Sequence, residues 1–200
     1  MIVSFFRRSK LWATEEELWQ ALLQRKISPD ITQVRIERRF LVDSDRALNN
    51  DELEKLTWLL KETYEPELFG EKSFFNGDVI EVGPRLAIVT PGSTNTVSIC
   101  SACGLDSIKR VEQTRRFSIS LSNGSELSPD QIKSIYSLIY DRMTEQPYLE
   151  PPKNFEQDIK PEPVQLISLL ENGIDILKDT NEQLGLALDG QMMEYLFEYY

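Results

Sequence analysis

Two stretches of this chain copy each other at a fixed spacing. Val34 to Phe40 reads V-R-I-E-R-R-F and Val111 to Phe117 reads V-E-Q-T-R-R-F, an offset of 77 residues. A short polar loop follows each copy, and then an apolar stripe: Leu53, Leu56, Leu60 and Tyr64 after the first, Ile132, Ile135, Ile139 and Met143 after the second. Residues at i, i+3, i+7 and i+11 share one face of an α-helix. Ser128, Pro129 and Gln131 give the second of these helices a cap, a first-turn proline and a capping box. The segments upstream also correspond. Ile2–Phe6 predicts a strand and Thr14–Gln24 a helix opened by Thr14 and Glu17, while Leu86–Val89 predicts a strand and Thr94–Cys103 a helix. Short closing strands are expected near Phe74–Phe75 and near Tyr148–Leu149.

A repeat of this kind narrows the fold. The order strand, helix, long strand, helix, short strand is that of a split β-α-β unit, with an antiparallel sheet and helices on one face. One unit of about 70 residues has a marginal core by itself. The expectation is an α+β pseudo-dimer over residues 1–145, with halves of about 1–78 and 79–145. These halves are expected to bury their open sheet faces against each other. A short α-helical segment follows.

Charge marks where the repeat ends. The chain has 200 residues and a net charge of −11. Residues 1–143 hold 19 basic and 21 acidic side chains, a net of −2, whereas residues 144–200 hold 3 and 12, a net of −9. Five of the ten prolines (Pro147, Pro151, Pro152, Pro161 and Pro163) cluster at the change. Proline favours extended chain, so residues 146–163 predict a connector and 164–200 an acidic helical region. Helices are expected over Ile174–Gln183 and Asp189–Tyr200. The last is strongly apolar and has no stop signal, which predicts a truncated domain or a covered surface. The acid excess argues against a nucleic-acid partner. Arg7 and Arg8 follow the apolar Ile2–Phe6 in the wrong order for a signal peptide, and the uncharged run Leu86–Leu105 is broken by Pro91 and Gly92. No membrane association and a cytoplasmic location are expected.

Composition removes whole reaction classes. The chain contains no histidine and two cysteines. Ser-His and Cys-His pairs, an imidazole base and a His-ligated zinc site are therefore excluded. Cys100 and Cys103 form C-x-x-C near the end of a helix, where a buried apolar role is the commoner reading and a redox pair the alternative. Arg110, Arg115 and Arg116 lie with Glu112 on one strand, and Arg35, Arg38 and Arg39 lie with Glu37 on its repeat mate. Arginine forks recognise phosphate or carboxylate, but cross-strand ion pairs on a solvated face use the same residues. Gly92, Ser93, Thr94 and Asn95 precede a helix, where N–H groups hold an anion or Ser93, Thr94 or Asn95 acts as a cap.

The run Val82-Gly83-Pro84-Arg85, then Ser93-Thr94-Asn95, Ser98-Ile99-Cys100 and Cys103-Gly104-Leu105, resembles the N-terminal region of the large phosphoribosylformylglycinamidine synthase family. Arg110, Glu112, Arg115 and Arg116 continue the resemblance, as does Leu184-Gly185-Leu186-Ala187-Leu188-Asp189. It is strongest over residues 81–119 and 184–189. The resemblance implies a domain like a fused dimer of the small subunit of split enzymes, followed by the start of a linker domain. It also implies a glutamine- and ATP-dependent ligase of purine synthesis, with magnesium and with ammonia passed between two sites. The synthetase halves and the glutaminase, with their histidine-bearing motifs, would be the partner domains and are not in this sequence. No catalytic, cofactor-binding or metal residue is therefore expected here. Arg85, Ser93, Thr94, Asn95, Arg110, Glu112, Arg115 and Arg116 remain as candidate interface residues. The alternative is a stand-alone α+β module for interaction or small-ligand sensing.

Overall fold

The computed structural model describes residues 1–61, 63–122, 124–155, 164 and 166–200. Two compact units emerge, Met1–Gln157 and Asp158–Tyr200. Residues 156–163 of the expected connector lie outside the described residues.

The first unit is an α+β domain on a six-stranded antiparallel sheet. Its strands are β1 (Ile2–Arg7), β2 (Ile31–Ser44), β3 (Phe69–Gly70), β4 (Ile80–Pro84), β5 (Ile108–Leu121) and β6 (Glu145–Pro147), and its helices are α1 (Ala13–Lys26), α2 (Asn50–Lys61), α3 (Pro91–Ala102) and α4 (Pro129–Ile139). The strand order is β3-β1-β2-β5-β4-β6. The first half contributes the left three strands and the second half the right three, so the order itself is two-fold symmetric. Arg38 and Arg115 are repeat mates and are also register partners across β2 and β5. The pseudo-dyad therefore passes between these two residues.

The halves meet differently from expectation. They join edge to edge through β2 and β5 to make one sheet, instead of stacking sheet face on sheet face. Strands of 14 residues each offer a long row of backbone donors and acceptors, and unpaired edges are a liability that this pairing removes. The side chains explain the rest. Alternate residues of a strand face opposite ways. One face carries Val34, Ile36, Phe40 and Val42 with Val111 and Phe117, and these pack under the helices in two clusters. Leu56, Leu60 and Cys100 close one cluster, and Leu23, Ile135 and Ile139 close the other. Each fully buried aliphatic or aromatic side chain contributes roughly 1.5–3 kcal/mol relative to an exposed one. The other face carries Glu37, Arg39, Glu112, Thr114 and Arg116, which are too polar for apolar face-to-face packing.

Several boundaries shift. The second-half strand is Ile80–Pro84, and Leu86–Val89 is a turn that leaves Val89 exposed. α3 begins at Pro91, three residues before Thr94, because Thr90 supplies the cap and Pro91 the first-turn proline. α1 begins one residue early, without a side-chain cap. The closing strands are Phe69–Gly70 and Glu145–Pro147. Tyr64 and Met143 fall beyond their helices and are exposed. The capping box of Ser128 and Gln131 forms as expected.

The second unit contains α5 (Leu169–Asn172), α6 (Asp175–Leu184) and α7 (Gly190–Tyr199). The run from Leu184 to Asp189 is a helix-to-helix turn. Gly185 ends α6 at a φ of +62°, a left-handed conformation that glycine adopts without steric cost. The Asn181 amide clamps Leu188 at both its N–H and its C=O, and Asp189 accepts from Met192 N to cap α7. Among the described residues no helix is long and apolar enough to cross a membrane.

Candidate functional site

The polar face of the sheet is the most unusual environment in the first unit. Glu37 and Arg116 are register partners across β2 and β5, and Glu81 and Arg116 across β4 and β5. Arg116 Nε lies 3.2 Å from Glu81, its Nη1 bonds Glu37, and its guanidinium stacks on Phe6. Arg39 Nη2 lies 3.0 Å from the other oxygen of Glu81. That approach is an ion pair without hydrogen-bond alignment, and Arg39 Nε has no hydrogen-bond partner. Burial pulls the Arg39 guanidinium below its ordinary pKa, and the charge of Glu81 counters that shift. Thr114 donates to Glu81, and Ser73 with the Phe74 N–H closes over Glu37.

These ion pairs are cross-strand pairs, as one reading of the arginines held, but the face is covered. The Ser73–Phe75 segment lies over one part. Tyr148 and Phe155 lie over another, packed on Leu41. Arg110 stacks on Phe155, bonds Glu112 at 2.9 Å, and donates to the carbonyls of Leu86 and Ile88. Tyr148 donates to Pro84 O at 2.7 Å. Its phenol is pushed up to about 12, first by burial, with Arg110 opposing and Glu112 and Glu81 adding to the rise. An unfolded tyrosine titrates near 10. The neutral phenol therefore stabilises the fold fully below pH 10, and that contribution is lost as pH rises from 10 towards 12. The expected result is that the stability difference between this protein and Tyr148→Phe shrinks by about 1–2 kcal/mol between pH 9 and pH 11.5. Urea unfolding at the two pH values measures it, and a constant difference would contradict the buried neutral phenol.

The remaining candidates divide by exposure. Ser93 is buried and its hydroxyl accepts from Val111 N. Arg85 is exposed and bonds Arg142 O. Thr94 and Asn95 are exposed on the first turns of α3. Arg115 bonds Ile139 O and Glu145 on the helical face of the sheet. The start of α3 does not suit a phosphate. Thr90 N and Oγ1 already donate to Glu112, so an anion arriving there meets a carboxylate. The neighbouring cavity of about 260 Å³ is lined by Thr90, Ser93 and Glu112, with no basic side chain among the described residues. No group of three His, Cys, Asp or Glu side chains able to hold a metal occurs among the described residues.

Cys100-x-x-Cys103-Gly104-Leu105 is a helix ending. Leu105 N bonds Cys100 O, Gly104 N bonds Ser101 O, and Gly104 has a φ of +77°. This is the Schellman arrangement, with Leu105 and Cys100 meeting in the core. Burial raises the Cys100 thiol pKa, opposite to what a reactive thiolate needs, whereas Cys103 is exposed. Sequence reasoning missed Glu81, Thr90, Ser73 and Glu145. Thr90-Pro91 is a legible cap signal; Glu81 and Glu145 depend on strand register, and Ser73 on a loop that folds back onto Glu37.

Residues 37–156 match the family model described as formylglycinamide ribonucleotide amidotransferase N-terminal, which is more than half of the chain. The chain belongs to this family. It is 36% identical over 202 residues to the probable phosphoribosylformylglycinamidine synthase, chloroplastic/mitochondrial, of Arabidopsis thaliana, covering 97% of this chain and 14% of that protein. It is 37% identical over 201 residues to the phosphoribosylformylglycinamidine synthase of Dictyostelium discoideum, covering 95% and 15%. The Homo sapiens phosphoribosylformylglycinamidine synthase is 34% identical over 180 residues, covering 86% and 13%. The chain thus spans about a seventh of the length of these relatives.

Proposed function

We propose that this chain is the N-terminal structural portion of a phosphoribosylformylglycinamidine synthase, the ATP- and glutamine-dependent ligase of purine biosynthesis. In this reading it is non-catalytic by itself. It holds synthetase and glutaminase domains in place, in cis or in trans, and helps enclose the path of ammonia between them. ATP and magnesium would bind elsewhere in that enzyme, and a cytoplasmic location goes with the reading. The second unit would begin the linker domain.

One observation carries the reading. The buried titratable groups of the polar face are tied to one another in ion pairs and hydrogen bonds, the arrangement of a scaffold and not of a reaction centre. Arg85, Thr94 and Asn95 would face the partner domains, and Ser93, Arg110, Glu112, Arg115 and Arg116 would hold that surface in position. Complementation tests it. A synthase lacking the region equivalent to residues 1–200 is expected to lose glutamine-dependent activity, and supplying this chain in trans is expected to restore it. Full activity without the chain would overturn the proposal.

A further inference from the structure

The pseudo-dyad pairs two arginines with different surroundings. Arg115 Nη2 meets the Glu145 carboxylate at 2.9 and 3.1 Å and the Ile139 carbonyl, at the end of α4, at 2.9 Å. Its mate in the first half is Arg38. There the carbonyls at and beyond the end of α2 are taken by Arg7, the cross-strand neighbour of Arg38, which donates to Lys61 O and Tyr64 O. Arg38 is half-buried, with its guanidinium 4.7 Å from the centre of the Trp12 ring. A cation over a ring face engages the ring through its charge and uses none of its N–H groups in hydrogen bonds to side-chain oxygens. Among the described residues Arg38 has no hydrogen-bond or ion-pair partner.

Arg38 lines a cavity of about 170 Å³ together with Arg7, Ser9, Trp12, Phe40 and Gln113 among others. No acidic side chain lines it among the described residues. The Ser9 hydroxyl is donated to Glu65 at 2.7 Å. Arg38 is a cationic donor on the lining, and the Gln113 amide, the Trp12 indole and the Tyr64 hydroxyl are neutral ones. The volume is below the roughly 300 Å³ at which ordinary small-molecule sites begin. It suits one small anionic group and not a nucleotide.

We propose that the Arg38 pocket receives a single carboxylate from outside the first unit, in the role that Glu145 fills for Arg115. The repeat itself identifies the ligand class, because the second copy of the same position is filled by a carboxylate on the same guanidinium. The source is either a small free carboxylate or an acidic side chain of another polypeptide segment. The proposal does not depend on the assembly reading, and complementation and binding are separate measurements.

The test follows the Arg38 Nε–H resonance by NMR in the full chain. The probes are glutarate, a capped Ala-Glu-Ala tripeptide and inorganic phosphate. Saturable shifts with a carboxylate probe are expected, with a dissociation constant of about 1–10 mM for one charged fork. Arg38→Lys keeps the charge but loses the fork, and is expected to weaken binding about tenfold. Shifts of the Gln113 side-chain amide follow binding in the variants. Arg38→Gln is expected to abolish it, and Arg35→Gln, an exposed arginine on the same strand, to leave it unchanged. Preference for the tripeptide marks a polypeptide source, and preference for glutarate a free one. Saturation by phosphate alone, no saturable carboxylate shift into the tens of millimolar, or equal binding by Arg38→Gln would overturn the proposal.

Discussion

Glu81→Ala is expected to cost the first unit about 3–5 kcal/mol of unfolding free energy, the range for stranding a buried charge. Glu81 is 6% exposed and joins three groups: Arg39, Arg116 and Thr114. Arg116 keeps Glu37 after the change, but Arg39 keeps no ion-pair partner among the described residues. Arg39 is 4% exposed, so water does not replace the carboxylate. Its pKa is already drawn down by burial and held up chiefly by Glu81. Adding Arg39→Met removes the stranded charge and keeps much of the apolar stem, so the double variant is expected to regain at least about 2 kcal/mol. All three tryptophans (Trp12, Trp19 and Trp58) lie in the first unit, so fluorescence in a urea titration reports its unfolding. A loss below about 1 kcal/mol, or no recovery in the double variant, would contradict the role assigned to Glu81.

The network also explains which parts of the fold were readable in advance. Periodicity and caps are local quantities, and the R-R-F copies are a match of one stretch of sequence to another, so the copies, the Leu56 and Ile135 stripes and the Ser128 cap are legible without knowing which strands pair. Register is a long-range quantity. Glu81 pairs with Arg116 across β4 and β5, and its repeat equivalent by register is Phe6, which faces Arg39 across β1 and β2. A carboxylate in one half thus stands where an aromatic ring stands in the other, and no local pattern announces the exchange. The Leu86–Val89 segment misled for the converse reason. It is as apolar as a strand, but Pro84 and the Thr90-Pro91 helix start leave it only a turn. The C-x-x-C spacing is a third case, where a chemical motif is the by-product of a helix end that needs Gly104 one residue beyond its cap.

Gly83→Ala is expected to destabilise the first unit by about 3 kcal/mol, at the upper end of the usual cost of overpacking. Gly83 is in register on β4: Val82 before it pairs with Arg115 on β5 and with Pro147 on β6, and Gly83 pairs with Gln146 on β6. A Cβ at Gly83 would lie 2.6 Å from Thr114 Cγ2, 3.1 Å from its Cβ and 3.2 Å from its Cα. A methyl group there needs something to move, and neither neighbour is free to. Thr114 is fully buried and its hydroxyl is held by Glu81, so rotation of its side chain would break into the network. Shifting β4 would disturb its pairing with both β5 and β6. The backbone at Gly83 does not have a positive φ, so the effect is one of close approach and not of conformational strain. Thr114→Ser removes the atom in the worst contact and keeps the hydroxyl. In the Gly83→Ala background it is expected to recover about half of the loss, since the contacts with Cβ and Cα persist. The same substitution in the original protein is expected to be destabilising, because there it only removes a buried methyl, at about 1 kcal/mol. Opposite signs of Thr114→Ser in the two backgrounds, measured by urea unfolding, are the signature of this contact, and equal effects in both would show that the methyl at position 83 is accommodated elsewhere.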